Sequence, residues 1–160
     1  LLQHERSGIQ ALAQAATGRA AQATTGTPIQ NAAMDYVGSD NGKIADPALR
    51  HEITAHLMNT RALALTQARV VEESEGGTPG AATSVFKLRG ADLRKEQLEL
   101  QLKVRGTQAL GWGASDAATF SGEELSVTRD WLGSKAGSIA GGSNEVQMNI
   151  IAKRVLNLPD

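Results

Sequence analysis

The sequence predicts an all-α fold: an antiparallel four-helix bundle with one short extra helix. Long segments repeat apolar residues at the helical period of about 3.6 residues, and no convincing β-alternation interrupts them. Aromatic residues make up only 3% of the chain while Ala and Gly are abundant, a composition suited to closely packed helices rather than a β-sandwich. The 160 residues suit one ordinary domain with enough chain to bury a core.

The helical segments follow in order. The first runs from about Leu2 to Gln22, rich in Ala and Gln, and gives way to the breakers Thr24-Thr25-Gly26-Thr27-Pro28. A short helical turn is expected around Ile29 to Val37, then loop through Gly38-Ser39-Asp40-Asn41-Gly42. Asp46-Pro47 is a strong helix start, with Asp as N-cap and Pro at the first helical position. Leu49, Ile53, Leu57, Ala64, Ala68 and Val71 then form one stripe, ended by Glu75-Gly76-Gly77-Thr78-Pro79-Gly80. Val85, Leu88, Ala91, Leu98 and Leu102 mark the next stripe, which Gly106 and Gly111-Trp112-Gly113 close. Residues 116 to 135 predict another helix, carrying Phe120, Leu125, Trp131 and Leu132. After the break at Gly137 to Gly142, a last helix starts at Ser143 or Asn144 and carries Val146, Ile150, Ile151 and Val155.

Charge and composition narrow the function. With 16 Lys+Arg against 17 Asp+Glu, the net charge of −1 argues against a large cationic surface for nucleic acid or anionic membrane. No apolar run approaches the roughly 20 residues that span a bilayer. The charges of Leu1-Leu2-Gln3-His4-Glu5-Arg6 come too early for a secretory signal. The absence of cysteine excludes disulfides, thiolate metal sites and cysteine nucleophiles. The expectation is a soluble, cytoplasmic protein. Because the chain starts at Leu1, already inside an apparent helix, it is expected to be a piece of something longer.

Few residues carry candidate chemistry. His51 and His56 stand five apart and so miss the i, i+4 spacing of a helical zinc pair; no metal site is expected. Gly141-Gly142-Ser143-Asn144 opens a helix, where successive N–H groups and the helix dipole favour anionic or electron-rich groups; the plainer reading is a glycine turn with a Ser/Asn cap. Glu5-Arg6 lies on an otherwise small and apolar helix, where burial raises a carboxylate toward the range of a general base; the plainer reading is a solvated pair. Lys87, Arg89, Arg94 and Lys95, interleaved with Asp92, Glu96 and Glu99, read as a solvated helix face.

The segment Thr128 to Pro159 resembles the C-terminal end of acyl-CoA dehydrogenases. There Ile139, Gly141-Gly142-Ser143, Glu145-Val146-Gln147, Asn149-Ile150-Ile151 and Arg154-Val155-Leu156 follow the family pattern I-x-G-G-T-x-E-I-Q-x-N-I-I-x-x-R-V-L. Leu2 to Arg6 resembles the family's L-x-x-E-R, while Asn41 to Pro47 and Pro79 to Leu88 resemble bacterial members related to those acting on steroid side chains. The resemblance spans nearly the whole chain, strongest over 128–159 and weakest over 17–40. It implies the C-terminal helical bundle domain over 1–160, with the family's N-terminal helical and middle β-domains absent from this chain.

The same resemblance implies an FAD-dependent enzyme of lipid or steroid catabolism that converts an acyl-CoA to the trans-2-enoyl-CoA. An electron-transfer flavoprotein or similar acceptor and a homo- or hetero-oligomer follow from it. The family places its base either just before the Gly-Thr pair or in L-x-x-E-R. The first position is Gly141, which has no side chain, so the resemblance assigns the base to Glu5, with Arg6 positioning the substrate. Gly142, Ser143 and Glu145 match the segment lying along the flavin. The R-x-x-F-G stretch is not recognisable between Arg19 and Pro28, and Lys103 stands where many members have glutamine. The alternative is a non-catalytic helical subunit, or an assembly domain of a heteromeric enzyme. In either case this 160-residue piece alone is expected to be inactive.

Overall fold

A computed structural model describes residues 28–73, 80 and 82–159. The expected first helix, with Glu5 and Arg6, lies outside them. The described residues divide into two compact units: 28–59 with 93–135, and the described part of 60–92 with 136–159.

Helix α1 (Ile29–Val37) follows Pro28 and buries Ile29, Ala32 and Ala33. Gly38, at φ +93°, closes it by donating its N–H to the Met34 carbonyl. The expected loop after it is instead a small hairpin, β1 (Ser39–Asp40) antiparallel to β2 (Lys43–Ile44), with Ser39 opposite Ile44 and Asp40 opposite Lys43. Both turn residues have positive φ, Asn41 at 51° and Gly42 at 73°, the backbone that a two-residue turn between twisted strands requires. Two-residue strands are too short to show alternation, but Asn-Gly is itself a hairpin signal.

Helix α2 (Pro47–Glu73) starts at the expected residue. Asp46 Oδ1 accepts from the N–H groups of Ala48 at 2.8 Å and Leu49 at 3.0 Å, meeting two donors that a helix start leaves open. Its stripe faces inward: Leu49 and Ile53 are buried, and Leu57, Ala64, Ala68 and Val71 are half-buried. Helix α3 (Thr83–Arg105) departs from expectation. Phe86, Leu93, Leu100 and Val104 are its buried row, with Leu98 and Gln101 also buried, whereas Val85, Leu88, Ala91 and Leu102 are only half-buried. A helix covered on more than one side has no single apolar stripe to read.

Two tight turns, Gly106–Ala109 and Ala114–Asp116, precede helix α4 (Gly122–Ser134), six residues later than the start expected at 116. A reciprocal cap sets the start: Ser121 Oγ accepts from the Glu124 N–H at 3.2 Å, and Glu124 Oε2 accepts from the Ser121 N–H at 2.6 Å. Phe120 therefore lies before the helix, closely packed on Gly111. A Cβ on Gly111 would come within 2.7 Å of the Phe120 ring. Helix α5 (Asn144–Arg154) begins after Ser143 as expected.

In the unit 28–59 with 93–135, the core gathers Ile29, Ala32, Ala33, Ile44, Leu49, Ile53, Leu100 and Val104. Ion pairs fix the direction of its helices. Lys103 meets Glu52 at 2.5 Å while His56 Nδ1 lies 3.6 Å from Glu96, so these parts of α2 and α3 run antiparallel. Arg105 pairs with Glu123 and Lys135 with Glu99, so α3 and α4 do the same. Arg105, with only 1% of its side chain exposed, also donates to Gln101 and lies 5.3 Å from the Tyr36 ring centre. Tyr36 in turn donates to Glu124 Oε1 at 2.9 Å.

Two outcomes follow. Ile53→Ala, at a residue 2% exposed, is expected to destabilise the protein by about 3 kcal/mol in urea unfolding. The Glu124 carboxyl is held below its ordinary value of 4.5 by the Ser121 N–H, then by the Ser121 and Tyr36 hydroxyls and the Arg105 charge, against the opposing effect of burial. A lowered native pKa adds stability above the unfolded value and loses it as pH falls through the native one. Glu124→Gln should therefore lower stability at pH 7 and flatten the acid decline below about pH 4.5, measured by unfolding across pH.

Candidate functional site

The residues singled out before the last helix form one turn. The tight turn Lys135–Ser138 leads in, and Ile139 and Ala140 donate to the Ala136 carbonyl at 2.9 and 2.8 Å. Gly141 (φ +69°) and Gly142 (φ +105°) then reverse the chain in the left-handed region, where a side chain would be strained. The Gly142 N–H donates to the Ile139 carbonyl at 3.2 Å. Each glycine carbonyl is held by a side chain. Gln147 Nε2 donates to Gly141 O at 3.0 Å, and Lys87 Nζ donates to Gly142 O at 2.5 Å. Gln147 is 2% exposed, unusual for an amide and explained by this bond.

Ser143 caps α5. Its backbone is extended, at φ −61° and ψ 165°, and its Oγ accepts from the Val146 N–H at 3.5 Å. Glu145 stands in the first turn of α5. The Ser143 hydroxyl, then the Glu145 N–H and the charge of Lys87, hold that carboxyl below its usual range. The helix end thus carries its own anion, with a cation nearby. The glycine turn and the Ser143 cap are those of the plainer reading. Asn144 Oδ1 and Ser138 Oγ are buried without a hydrogen-bond partner among the described residues.

Lys87 corrects an expectation. It is half-buried and bonded to a residue 55 positions away, not part of a solvated face. One Lys between the apolar Phe86 and Leu88 on a helix that is packed on several sides was the available signal. Gln147, one turn beyond the Ser143 cap, was missed as well, because nothing in the spacing marks an amide as buried. Of the site residues, the structure brings Gly142, Ser143 and Glu145 together; Glu5 and Arg6 lie outside the described residues. Among the described residues, no three metal-ligating side chains converge, and no helix is long and apolar enough to cross a membrane.

The family model for the acyl-CoA dehydrogenase C-terminal domain matches residues 2–156. The chain belongs to the acyl-CoA dehydrogenase family. It is similar to acyl-CoA dehydrogenase IpdE1 of Mycolicibacterium smegmatis, with 31% identity over 74% of this chain and 27% of that protein. The Mycobacterium tuberculosis IpdE1 gives 33% identity over 71% of this chain and 28% of that protein. Acyl-CoA dehydrogenase FadE34 of Mycobacterium tuberculosis gives 28% over 84% and 17%. The chain thus spans about a quarter or less of the length of these relatives. No solved structure matches it at the same stringency.

Family members generally bind FAD, and the turn fits such a group. Among the described residues no carbonyl accepts the Ser143 N–H, and Asn144 Oδ1 is an acceptor without a donor. A flavin nucleotide, with ring carbonyls and ribityl hydroxyls, presents acceptors and donors of that kind.

Replacing Ser143 with Ala should cost about 1 kcal/mol of stability through the lost cap. It should also move the Glu145 titration up toward 4.5, while Ser143→Thr keeps both. Carboxyl NMR titration beside chemical unfolding reads the two effects separately.

Proposed function

We propose that this chain is the C-terminal part of an FAD-dependent acyl-CoA dehydrogenase, an oxidoreductase that converts an acyl-CoA thioester to the trans-2-enoyl-CoA. The observation that carries this reading is the family match over residues 2–156. All three relatives, each an acyl-CoA dehydrogenase by name, support the same reading.

Glu5 takes the proton from the α-carbon, which the thioester carbonyl acidifies. A base for that proton must be a carboxylate whose desolvation raises its proton affinity. Gly141, at the family's other base position, has no side chain to compete for the role. Arg6 positions the acyl-CoA, an anionic substrate that a guanidinium suits. Gly142, Ser143 and Glu145 line the cofactor. When bound, FAD supplies the acceptor for the β-hydride.

The substrate class is an acyl-CoA, of a fatty or steroid-derived acid, and the working assembly is a homo- or hetero-oligomer. An electron-transfer flavoprotein or similar acceptor completes turnover. The other family domains supply the rest of the cofactor and substrate pockets, so the 160 residues alone are inactive.

The test uses the full-length gene product. It should carry flavin whose visible absorbance bleaches with an acyl-CoA, and Glu5→Gln should keep the flavin while reducing turnover by about a thousandfold or more. Retained turnover in Glu5→Gln would remove Glu5 as base. A full-length product without flavin would favour a non-catalytic assembly subunit instead.

A further inference from the structure

We propose that Lys87 is a positioning residue for the cofactor, holding the Gly141-Gly142 turn so that the Ser143 N–H points away from Lys87 and toward the cofactor. This rests on the reading of the chain as part of an FAD-dependent enzyme. Three observations carry it.

The first is the contact itself. Lys87 Nζ donates to Gly142 O at 2.5 Å, across 55 residues of chain. A half-buried ammonium gives up hydration to reach that carbonyl, so the bond does not come from a side chain lying idle in solvent. The second is its companion. Gln147 holds the adjacent Gly141 carbonyl at 3.0 Å, so the carbonyls of both glycines are held by side chains, beside the backbone bond of the Gly142 N–H. Two successive residues at φ +69° and +105° have an especially soft backbone, and these bonds select one conformation of it.

The third is geometric. In a trans peptide the C=O and the following N–H point in opposite directions, and there is no cis peptide among the described residues. With Gly142 O turned to Lys87, the Ser143 N–H points away from it. That donor has no carbonyl partner among the described residues. Lys87 therefore sets the aim of a hydrogen-bond donor that it never touches, at the turn assigned to the flavin.

The full-length flavoenzyme tests this through K87M, which keeps the aliphatic stem without the donor, and K87R, which keeps a cationic donor. K87M should raise the Kd for FAD about tenfold or more, because the released turn must be re-ordered before the Ser143 N–H can meet the cofactor, with an altered visible circular dichroism of the flavin that remains. K87R should restore affinity to within about threefold, and K87Q, with a neutral donor, should fall between. The thermal midpoint of the apoprotein should fall by no more than a few degrees in K87M, the loss of one bond, and stay the same in K87R. Wild-type FAD affinity in K87M would overturn the proposal, as would loss of FAD in K87M and K87R together with a falling apoprotein midpoint, which marks plain packing. Wild-type protein assayed alongside separates the two ideas: if it binds no FAD, the enzyme reading itself falls and this proposal with it.

Discussion

A buried guanidinium organises the unit formed by residues 28–59 and 93–135. Arg105 is the last residue of α3, and its charge is permanent, so its burial demands partners on several sides. Glu123 at the start of α4 supplies the counter-charge, Gln101 one turn back on α3 supplies a carbonyl, and Tyr36 on α1 supplies a ring face. Three helices are thereby committed to one point. The polar chain continues, for Tyr36 donates to Glu124, and Glu124 closes the reciprocal cap with Ser121. An aliphatic core alone is tolerant of sliding, whereas a planar fork gripped from several directions specifies a register. In a chain with only 3% aromatic residues, where large interlocking side chains are scarce, that specificity has to come from polar groups.

How much of this was legible depended on whether the deciding signal was local. Asp46-Pro47 and Ser143 each cap their own helix through short-range bonds, and both helices start where the residues predict. Helix α1 likewise ends on a glycine whose positive φ the backbone needs. Helix α4 starts late because the deciding residues are Ser121 and Glu124, a local signal hidden by the apolar Phe120 before it. Asn41-Gly42 was equally local but belonged to a hairpin too short for any periodic pattern. The failures of a different kind lie on α3. Its burial on several sides, and the engagement of Arg105 and Lys87, are set by residues 18 and 55 positions away, and no window of sequence holds both ends.

The candidate site divides along the same line. Its residues were legible through the resemblance of the closing segment, a pattern of identities, whereas its electrostatics were not. A helix N-terminus with open N–H groups suggests a place for an anion. In the structure the Glu145 carboxylate belongs to that first turn, and the Ser143 hydroxyl and the charge of Lys87 lower its proton affinity. Those charges offset one another locally, which leaves hydrogen-bonding direction rather than net potential as what the turn offers.

That distinction bears on how the chemistry is shared. A base that works by desolvation and a cofactor held by directed hydrogen bonds make different demands on one scaffold. Proton abstraction is sensitive to any nearby carboxylate, because like charges disfavour each other's ionised form. At the turn, Gly141 brings no carboxylate, and the one nearby, Glu145, is favoured in its ionised form by a hydroxyl, an N–H and a cation. Under the proposal that Glu5 is the base, this turn is free to be rigid. Two positive-φ glycines give it the sharp reversal, Gln147 and Lys87 remove the freedom that glycine brings, and no reacting side chain has to be accommodated between them.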